Sequence, residues 1–356
     1  MKNEYRLSAL YLSAFPRLCR RYGVEPQTLT SKLNIQISTL HDENQELSHQ
    51  QFAELLNLAA KESKDPLFAL ELSTLIDYQS LDIAMLLIAS QESLANIYPV
   101  LFGLYSYQQR ASRHQLDIRD DIARHFTQFL FEPNVDTSQH ALLSIGGIIT
   151  TFKMVLGERL KLHQVHFKAR YQGESGAQLQ AQIERLERFF GCKVILGSQF
   201  DGFEFPKALL AEKPDLEMTI TNQMRRKVSH GLQHHNTLLE ITTNSILLLL
   251  PLGDISKTLV SKMLGIHPRT LQNLLNKNNL TYRDIVNSVR DTESKKLLTN
   301  SEYPIRTIAD MLCYASADSF IRQFKRTNGI TPLQYRKQHR CVTAGNSSFQ
   351  FDLVII

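Results

Sequence analysis

Val260-Ser261-Lys262-Met263-Leu264-Gly265 recurs as Ile308-Ala309-Asp310-Met311-Leu312-Cys313, and each copy runs through a short polar turn into a second amphipathic, basic stretch. The offset between copies is 48 residues at Val260 and Ile308 and becomes 49 at Leu271 and Phe320, and at Leu275 and Phe324, so the second turn has gained one residue. On each second stretch the apolar residues return at helical spacing: Leu271, Leu274 and Leu275 in one, Phe320 and Phe324 in the other. A small residue, Ser261 or Ala309, lets the first helix approach the second. The pattern predicts two helix-turn-helix units, whose basic second helices suit the major groove of DNA. Periodicity alone also fits a helical solenoid or interaction bundle with a solvated charged face.

Charge favours the first reading. Residues 253–340 hold 15 Lys or Arg against 7 Asp or Glu, a net of +8, whereas the other residues hold 25 against 28, a net of −3. The formal charge of +5 for the whole chain therefore hides a basic module joined to a slightly acidic one. Such a block is the electrostatic footprint of a phosphate-binding surface. Between the two units, Thr281 to Leu298 reads as one helix with Thr281 as N-cap and Tyr282, Ile285, Val286, Val289 and Leu297 on its buried side. A rigid spacer of this kind would set two recognition helices in successive major-groove turns, about 34 Å apart.

The ending Phe320-Ile321-Arg322-Gln323-Phe324-Lys325-Arg326, followed by Gly329-Ile330-Thr331-Pro332-Leu333-Gln334-Tyr335-Arg336, makes residues 253–340 resemble the DNA-binding domain of AraC/XylS-type transcription regulators. Gly329 suits the left-handed residue after a helix, and Pro332 can open the next helix without an amide donor. Two positions depart from the family pattern. Cys313 stands where Gly is usual, and Asn273 where the first recognition helix often carries Arg. The resemblance implies base contacts from Arg269, Gln272 and Asn273 in the first helix, and from Ala317, Asp318, Ile321 and Arg322 in the second, with Ser316 beside them as a further DNA-binding residue. Arg can pair with guanine, Gln and Asn with adenine, and Ala or Ile can touch a thymine methyl, although any polar member can instead bind phosphate. Lys262, Lys277, Arg283, Lys295, Lys325 and Arg326 are assigned to phosphate. RNA polymerase as a partner is implied by the same resemblance, as are activation of transcription and homodimerisation.

The preceding two-thirds of the chain reads as a separate α+β domain, with helices on a small, mostly antiparallel sheet, set before an all-α C-terminal domain with two helix-turn-helix motifs. Helices are expected at Arg17 to Tyr22, Ser48 to Glu62, Pro66 to Leu75 and Leu94 to Arg110. Gln115 to Arg119 and Arg124 to Phe131 form an expected hairpin around Asp120-Asp121; Val165, Phe167, Ala169 and Tyr171 alternate as a strand; and Lys193 to Phe205 suggests a last hairpin turning near Asp201-Gly202. Two helices flank the middle strand, one carrying Leu142, Ile145, Ile149 and Phe152, the other Leu179, Ile183, Leu186 and Phe190. Tyr22-Gly23-Val24-Glu25-Pro26 and Phe189-Phe190-Gly191-Cys192-Lys193-Val194 give residues 5 to about 213 a resemblance to the N-terminal ligand-binding domain of one branch of these regulators, named after arabinose binding. That implies a small-molecule effector without naming it. Domains are expected at 1–213 (sensing), 214–252 (helical connector), 253–340 (DNA binding) and 341–356 (tail).

Catalytic and metal chemistry is not expected. Cys19, Cys192, Cys313 and Cys341 are scattered without Cys-x-x-Cys spacing, which argues against a disulfide framework, a zinc site or the clustered thiolates of alkylation-repair proteins that share this DNA-binding domain. His163 and His166 would point to opposite faces of a strand. Gly146-Gly147 inside an apolar helix points to close helix packing or to a ligand pressed on the backbone. In the connector, Ile220, Met224, Val228 and Leu232 make a stripe that would serve packing, dimerisation or signal transfer. Met1 to Phe15 lacks a signal-peptide layout, and the longest aliphatic run, Ile246 to Leu250, is too short to span a bilayer, so a cytoplasmic protein without cofactor is expected. The alternative function is a regulator of the same kind that has lost ligand control and responds to its own abundance.

Overall fold

A computed structural model describes residues 6–41, 46–75, 87–88, 91–98, 112–129, 135–170, 176–215, 230, 232–233, 235–301 and 303–339. The N-terminal part opens with a short strand β1 (Arg6–Ser8), then helices α1 (Phe15–Arg21) and α2 (Pro26–Lys32). Gly23, at φ 71, ends the first of these. Strand β2 (Glu46–Ser48) pairs antiparallel with β1 and leads directly into α3 (His49–Glu62). Ser48 is both the end of the strand and the N-cap of the helix, in a capping box with Gln51. Helix α4 (Phe68–Thr74) follows.

The main sheet has the order β3-β4-β7-β5-β6. Strands β3 (Ser112–Arg119) and β4 (Ile122–Phe129) form the expected hairpin, with Asp120 at φ 52 in its turn. Helix α5 (Ser138–Leu156) then crosses the sheet, packing on α3, α4 and β7. By length and composition the segment Ser138–Arg159 could cross a membrane, yet 78% of its apolar window is buried inside this fold as the central core helix. Strand β5 (Gln164–Phe167), helix α6 (Gly176–Phe190) and strand β6 (Lys193–Leu196) form a parallel β-α-β unit. Strand β7 (Asp201–Pro206) returns antiparallel to both β5 and β4.

This corrects the hairpin expected over Lys193 to Phe205. β6 and β7 follow each other in sequence but are separated in the sheet by β5, and Asp201-Gly202 lie inside β7 rather than in a turn. The reason is burial: Val165, His166 and Phe167 are all buried, so β5 has no face for solvent and takes an interior position. His163 precedes the strand and donates its backbone N–H to the Glu204 carbonyl at 2.7 Å. Ala169 also lies outside it, while Tyr171 and most of the helix expected over Leu94 to Arg110 fall outside the described residues. The remaining pairings in this sheet are antiparallel, as expected for the domain.

Gly146 shows why glycine interrupts an apolar helix. A Cβ built there would lie 2.4 Å from Ser73 Oγ and 3.0 Å from Ser73 Cβ, so α5 and α4 approach as closely as they do only because that atom is absent. The C-terminal part is helical throughout its described residues: α7 (His235–Leu249), α8 (Lys257–Met263), α9 (Pro268–Lys277), α10 (Tyr282–Asn300), α11 (Ile305–Met311), α12 (Ala317–Asn328) and α13 (Pro332–His339). Helix α7 packs against α8 and α10. Ile220, Met224 and Val228 and the tail 341–356 lie outside the described residues.

Candidate nucleic-acid interface

The first helix-turn-helix is α8 and α9. Ser256 caps α8 by accepting the Leu259 N–H at 3.2 Å, and Val260, Ser261 and Met263 are buried. The turn passes through Gly265 at φ 68. His267 Nδ1 accepts the Arg269 N–H at 3.2 Å, and Pro268 occupies the first turn of α9, where its missing N–H is no loss. Leu271 and Leu275 bury one side of α9, which leaves Arg269, Asn273 and Lys277 exposed on the other. Gln272 is partly buried: its Oε1 accepts from Lys257 Nζ at 2.8 Å and its Nε2 donates to Asn276 Oδ1 at 2.8 Å.

The second unit, α11 and α12, repeats the plan. Ile308 and Ala309 are fully buried, as are Phe320 and Phe324 on α12. Ser316 caps α12 in a reciprocal box with Ser319, so its hydroxyl is occupied by the helix end. Asp318, Arg322, Lys325 and Arg326 are exposed, Ala317 and Ile321 partly so. Arg326 also donates to Gln323 Oε1 at 2.6 Å. At the turn, Cys313 takes the left-handed conformation at φ 55 that Gly265 takes in the first unit. The departure from glycine therefore leaves the turn geometry intact, at a steric cost of about 1–2 kcal/mol. Cys313 Sγ lies 3.4 Å from the Leu250 carbonyl oxygen, onto which it donates.

Helix α10 braces both units. Thr281 is its N-cap, accepting from Asp284 N–H at 3.1 Å, and Ile285, Val286 and Val289 are buried as expected. Further along, Leu298 is the buried residue rather than Leu297, joined by Ser294 and Glu293. Toward the first unit, Tyr282 Oη donates to the Ile255 carbonyl at 2.8 Å. Toward the second, Arg290 Nε donates to the Leu312 carbonyl at 2.8 Å, its Nη2 to the Cys313 carbonyl, and its guanidinium lies 4.2 Å from the Tyr314 ring centroid. Asn328, at the end of α12, donates to Asp291 Oδ1 at 2.6 Å. Arg290 is absent from the sequence-based set; its partners are backbone carbonyls more than 20 residues away, which leave no side-chain signature. Lys262 and Arg283 are exposed, but Lys295 is held by Asp291 at 2.7 Å and its charge is partly neutralised there.

Gly329 ends α12 at φ 77, and α13 then docks through Tyr335, edge-on to Phe324 at 5.4 Å between ring centroids. Arg336 Nη2 reaches the Tyr303 carbonyl at 2.6 Å. Among the described cysteines, burial raises Cys19 to about 12, Cys192 to about 11, and Cys313 above its ordinary value, which favours the protonated thiol in each.

Two capped, basic recognition helices on a common brace, in a chain with a separate α+β domain, define a DNA-binding transcriptional regulator. The chain belongs to the AraC-type transcription regulators: the arabinose-binding domain of AraC transcription regulators, N-terminal, matches residues 23–214, and a helix-turn-helix domain family matches residues 260–338. It is 25% identical over 338 residues to the HTH-type transcriptional regulator VirS of Mycobacterium tuberculosis, covering 93% of this chain and 96% of that protein. It is 22% identical over 334 residues to the ornithine utilization regulator of Pseudomonas aeruginosa, covering 92% and 95%. The crystal structure of the transcriptional regulator CdpR from Pseudomonas aeruginosa aligns with 90% of this chain and 97% of that one, at 17% identity and a TM-score of 0.40.

Proposed function

We propose that this regulator binds promoter DNA by placing α9 and α12 in successive major-groove turns, and that a small-molecule effector in the N-terminal domain tunes that binding. The observation that carries the DNA reading is the brace: one helix is bonded to the start of the first unit and to the turn and last residue of the second, so the two recognition helices move as one body. Base reading falls to Arg269, Gln272 and Asn273 in α9 and to Ala317, Asp318, Ile321 and Arg322 in α12. Ser316 contributes by fixing the N-terminus of α12 against the DNA backbone. Lys262, Lys277, Arg283, Lys325 and Arg326 contact phosphate, with Lys295 a weaker contributor because Asp291 holds it.

The DNA-binding unit extends back to α7, which packs on α8 and α10, leaving the segment before His235 as the link to the sensor. The protein acts in the cytoplasm, as a homodimer in contact with RNA polymerase, and by binding rather than catalysis; the raised thiols of Cys19, Cys192 and Cys313 support the last point. Selection of genomic fragments by the purified full-length protein near physiological salt tests the DNA reading. Enrichment of two sequence blocks about one helical turn apart is expected. A single block, or none with or without added effector candidates, would refute the bipartite mode.

A further inference from the structure

The two helix-turn-helix units fill one equivalent spot with different chemistry. By the offsets of the repeat, 48 over the first helices and 49 over the second, Lys257 corresponds to Ile305, Gln272 to Ile321, Asn273 to Arg322 and Asn276 to Lys325. The folded chain keeps those offsets: α8 and α11 begin at Lys257 and Ile305, and α9 and α12 are buried through Leu271 and Leu275, and through Phe320 and Phe324. The second unit therefore carries two isoleucines where the first carries an ammonium bonded to an amide.

The polar pair runs on along one edge of α9. Lys257 Nζ donates to Gln272 Oε1 at 2.8 Å, and Gln272 Nε2 donates to Asn276 Oδ1, one turn further on, at 2.8 Å. An ammonium only donates, so Lys257 decides which end of the Gln272 amide faces it, and Gln272 in turn orients Asn276. Each group keeps bonding capacity: Nζ has two further hydrogens, Oε1 a second lone pair and Nε2 a second hydrogen. Gln272 so clamped still has atoms with which to meet a base. Its partner also keeps its charge. Among the described residues Lys257 enters no ion pair, unlike Lys295, which Asp291 meets at 2.7 Å. Asp254, the acid nearest in sequence, accepts the Ser256 N–H at 2.8 Å.

Packing alone does not call for charge here. Ile305 and Ile321 stand at the same two positions of the second unit, and a partly buried amide and ammonium cost more to place than apolar groups. In a helix-turn-helix the first helix crosses the DNA backbone while the second enters the groove. Lys257 is the first residue of α8, and its ammonium is fixed beside α9. On α12 the corresponding edge carries the exposed Lys325, assigned above to phosphate, whereas α9 has the uncharged Asn276 in that place.

We propose that Lys257 is a DNA-phosphate contact, aimed along α9 by Gln272 and Asn276, and that it gives the first unit the charge that Lys325 gives the second. Gln272 is its positioning residue. The proposal rests on the reading of α9 and α12 as groove-entering helices. It adds to that reading a contact from outside both recognition helices and makes the two units chemically unequal.

The test measures binding of the full-length protein by fluorescence anisotropy, over about 0.05 to 0.5 M salt, to an operator recovered by the genomic selection and to a scrambled duplex. Lys257→Met keeps the aliphatic stem at a position where the second unit accepts isoleucine. It should lower the slope of log affinity against log salt by about 1 on both duplexes, and weaken binding roughly fivefold at about 0.15 M salt for affinities that converge near about 1 M. Lys257→Arg should keep the wild-type slope. In the Lys257→Met background, Asn276→Lys should restore it by copying the arrangement of the second unit. Gln272→Met should lower the slope by itself and lower it no further when added to Lys257→Met. The proposal is overturned if Lys257→Met keeps the wild-type slope, even with weaker binding, since a purely structural tie between α8 and α9 releases no counterions. It is also overturned if Lys257→Arg behaves like Lys257→Met, if Asn276→Lys restores nothing, or if the slope changes of Gln272→Met and Lys257→Met add. Wild-type protein that binds neither duplex would remove the groove reading itself, before any variant is compared.

Discussion

Replacing Arg290 with alanine should unlatch the second helix-turn-helix from its brace without touching a DNA-facing residue. The guanidinium makes two hydrogen bonds to the carbonyls of Leu312 and Cys313, the residues that carry the chain through the tight turn. Bonds from a charged donor contribute about 1.5–3 kcal/mol each, and the stacking on Tyr314 about 0.5–1 kcal/mol more. Arg290 is only half-buried, and water can take over part of what is lost, so the expected cost is about 2–4 kcal/mol. Through about 1.4 kcal/mol per decade, that is a roughly 30- to 900-fold rise in the local opening equilibrium. Amide hydrogen exchange read by mass spectrometry on the full chain measures it directly: the segment 309–316 should lose protection by that factor, while α9 and the sheet of the sensor stay unchanged. Arg290→Lys should recover little, because a single ammonium cannot span both carbonyls and stack on the ring. Exchange over 309–316 as slow as in the wild type would refute the latch.

Gly146→Ala should destabilise the sensor by about 1–2 kcal/mol, the overlap with Ser73 outweighing alanine's better helix propensity; a denaturant midpoint equal to wild type would contradict it, and adding Ser73→Ala should restore part of the loss. Acid should weaken the sensor. His49 is held down to about 2, and His114 and His140 to about 3, so each stays neutral in the fold while its unfolded counterpart protonates near 6.5. Their stability is therefore fully present above pH 6.5 and is lost as pH falls toward 3, at about 1.4 kcal/mol per pH unit per histidine; denaturant titrations at pH 7.5, 6.5 and 5.5 should show a larger loss from 6.5 to 5.5 than from 7.5 to 6.5, and a flat profile would show that these imidazoles are free to protonate. On a selected operator, Lys325→Ala should weaken all sequences alike and lower the slope of log affinity against log salt by about 1, whereas Arg322→Ala should cost about 1–3 kcal/mol and relax preference at one position. Identical behaviour of the two variants would remove Arg322 from the base-reading set.

The helix-turn-helix pair was legible because its determinants are local. Buried Leu271, Leu275, Phe320 and Phe324 recur at helical spacing, and the left-handed turn residues are marked by Gly265 and Gly329. Cys313 shows the limit of that logic: the backbone takes the same left-handed turn although the marker is missing, since Arg290 and the Leu250 carbonyl hold it from outside. In the main sheet strand existence was readable from alternation but strand order was not, and the three-residue strands β1 and β2 are too short to show a pattern. The pairing of β7 with β4 and β5, instead of with its neighbour β6, is decided by which strand has two faces to bury, and that emerges only once α5 and α6 are placed. The histidines of the sensor were invisible for a related reason. His49, His114, His125 and His140 share no spacing in the sequence and meet only because a helix, a hairpin and a second helix converge.

Helix α10 has 19 residues, a rod about 28 Å long, comparable with one turn of the double helix. Removing a single residue from it would shorten it by about 1.5 Å but rotate everything beyond by about 100°, which in the proposed bipartite mode swings α12 out of phase with the groove assigned to α9. In that proposed mode the length of this segment is a gauge for the distance between the two halves of an operator. The same proposal implies that point substitutions on α9 or α12 change which bases are preferred, whereas insertions and deletions in α10 are closed to gradual change, so sequence preference is free to diverge while operator spacing stays fixed.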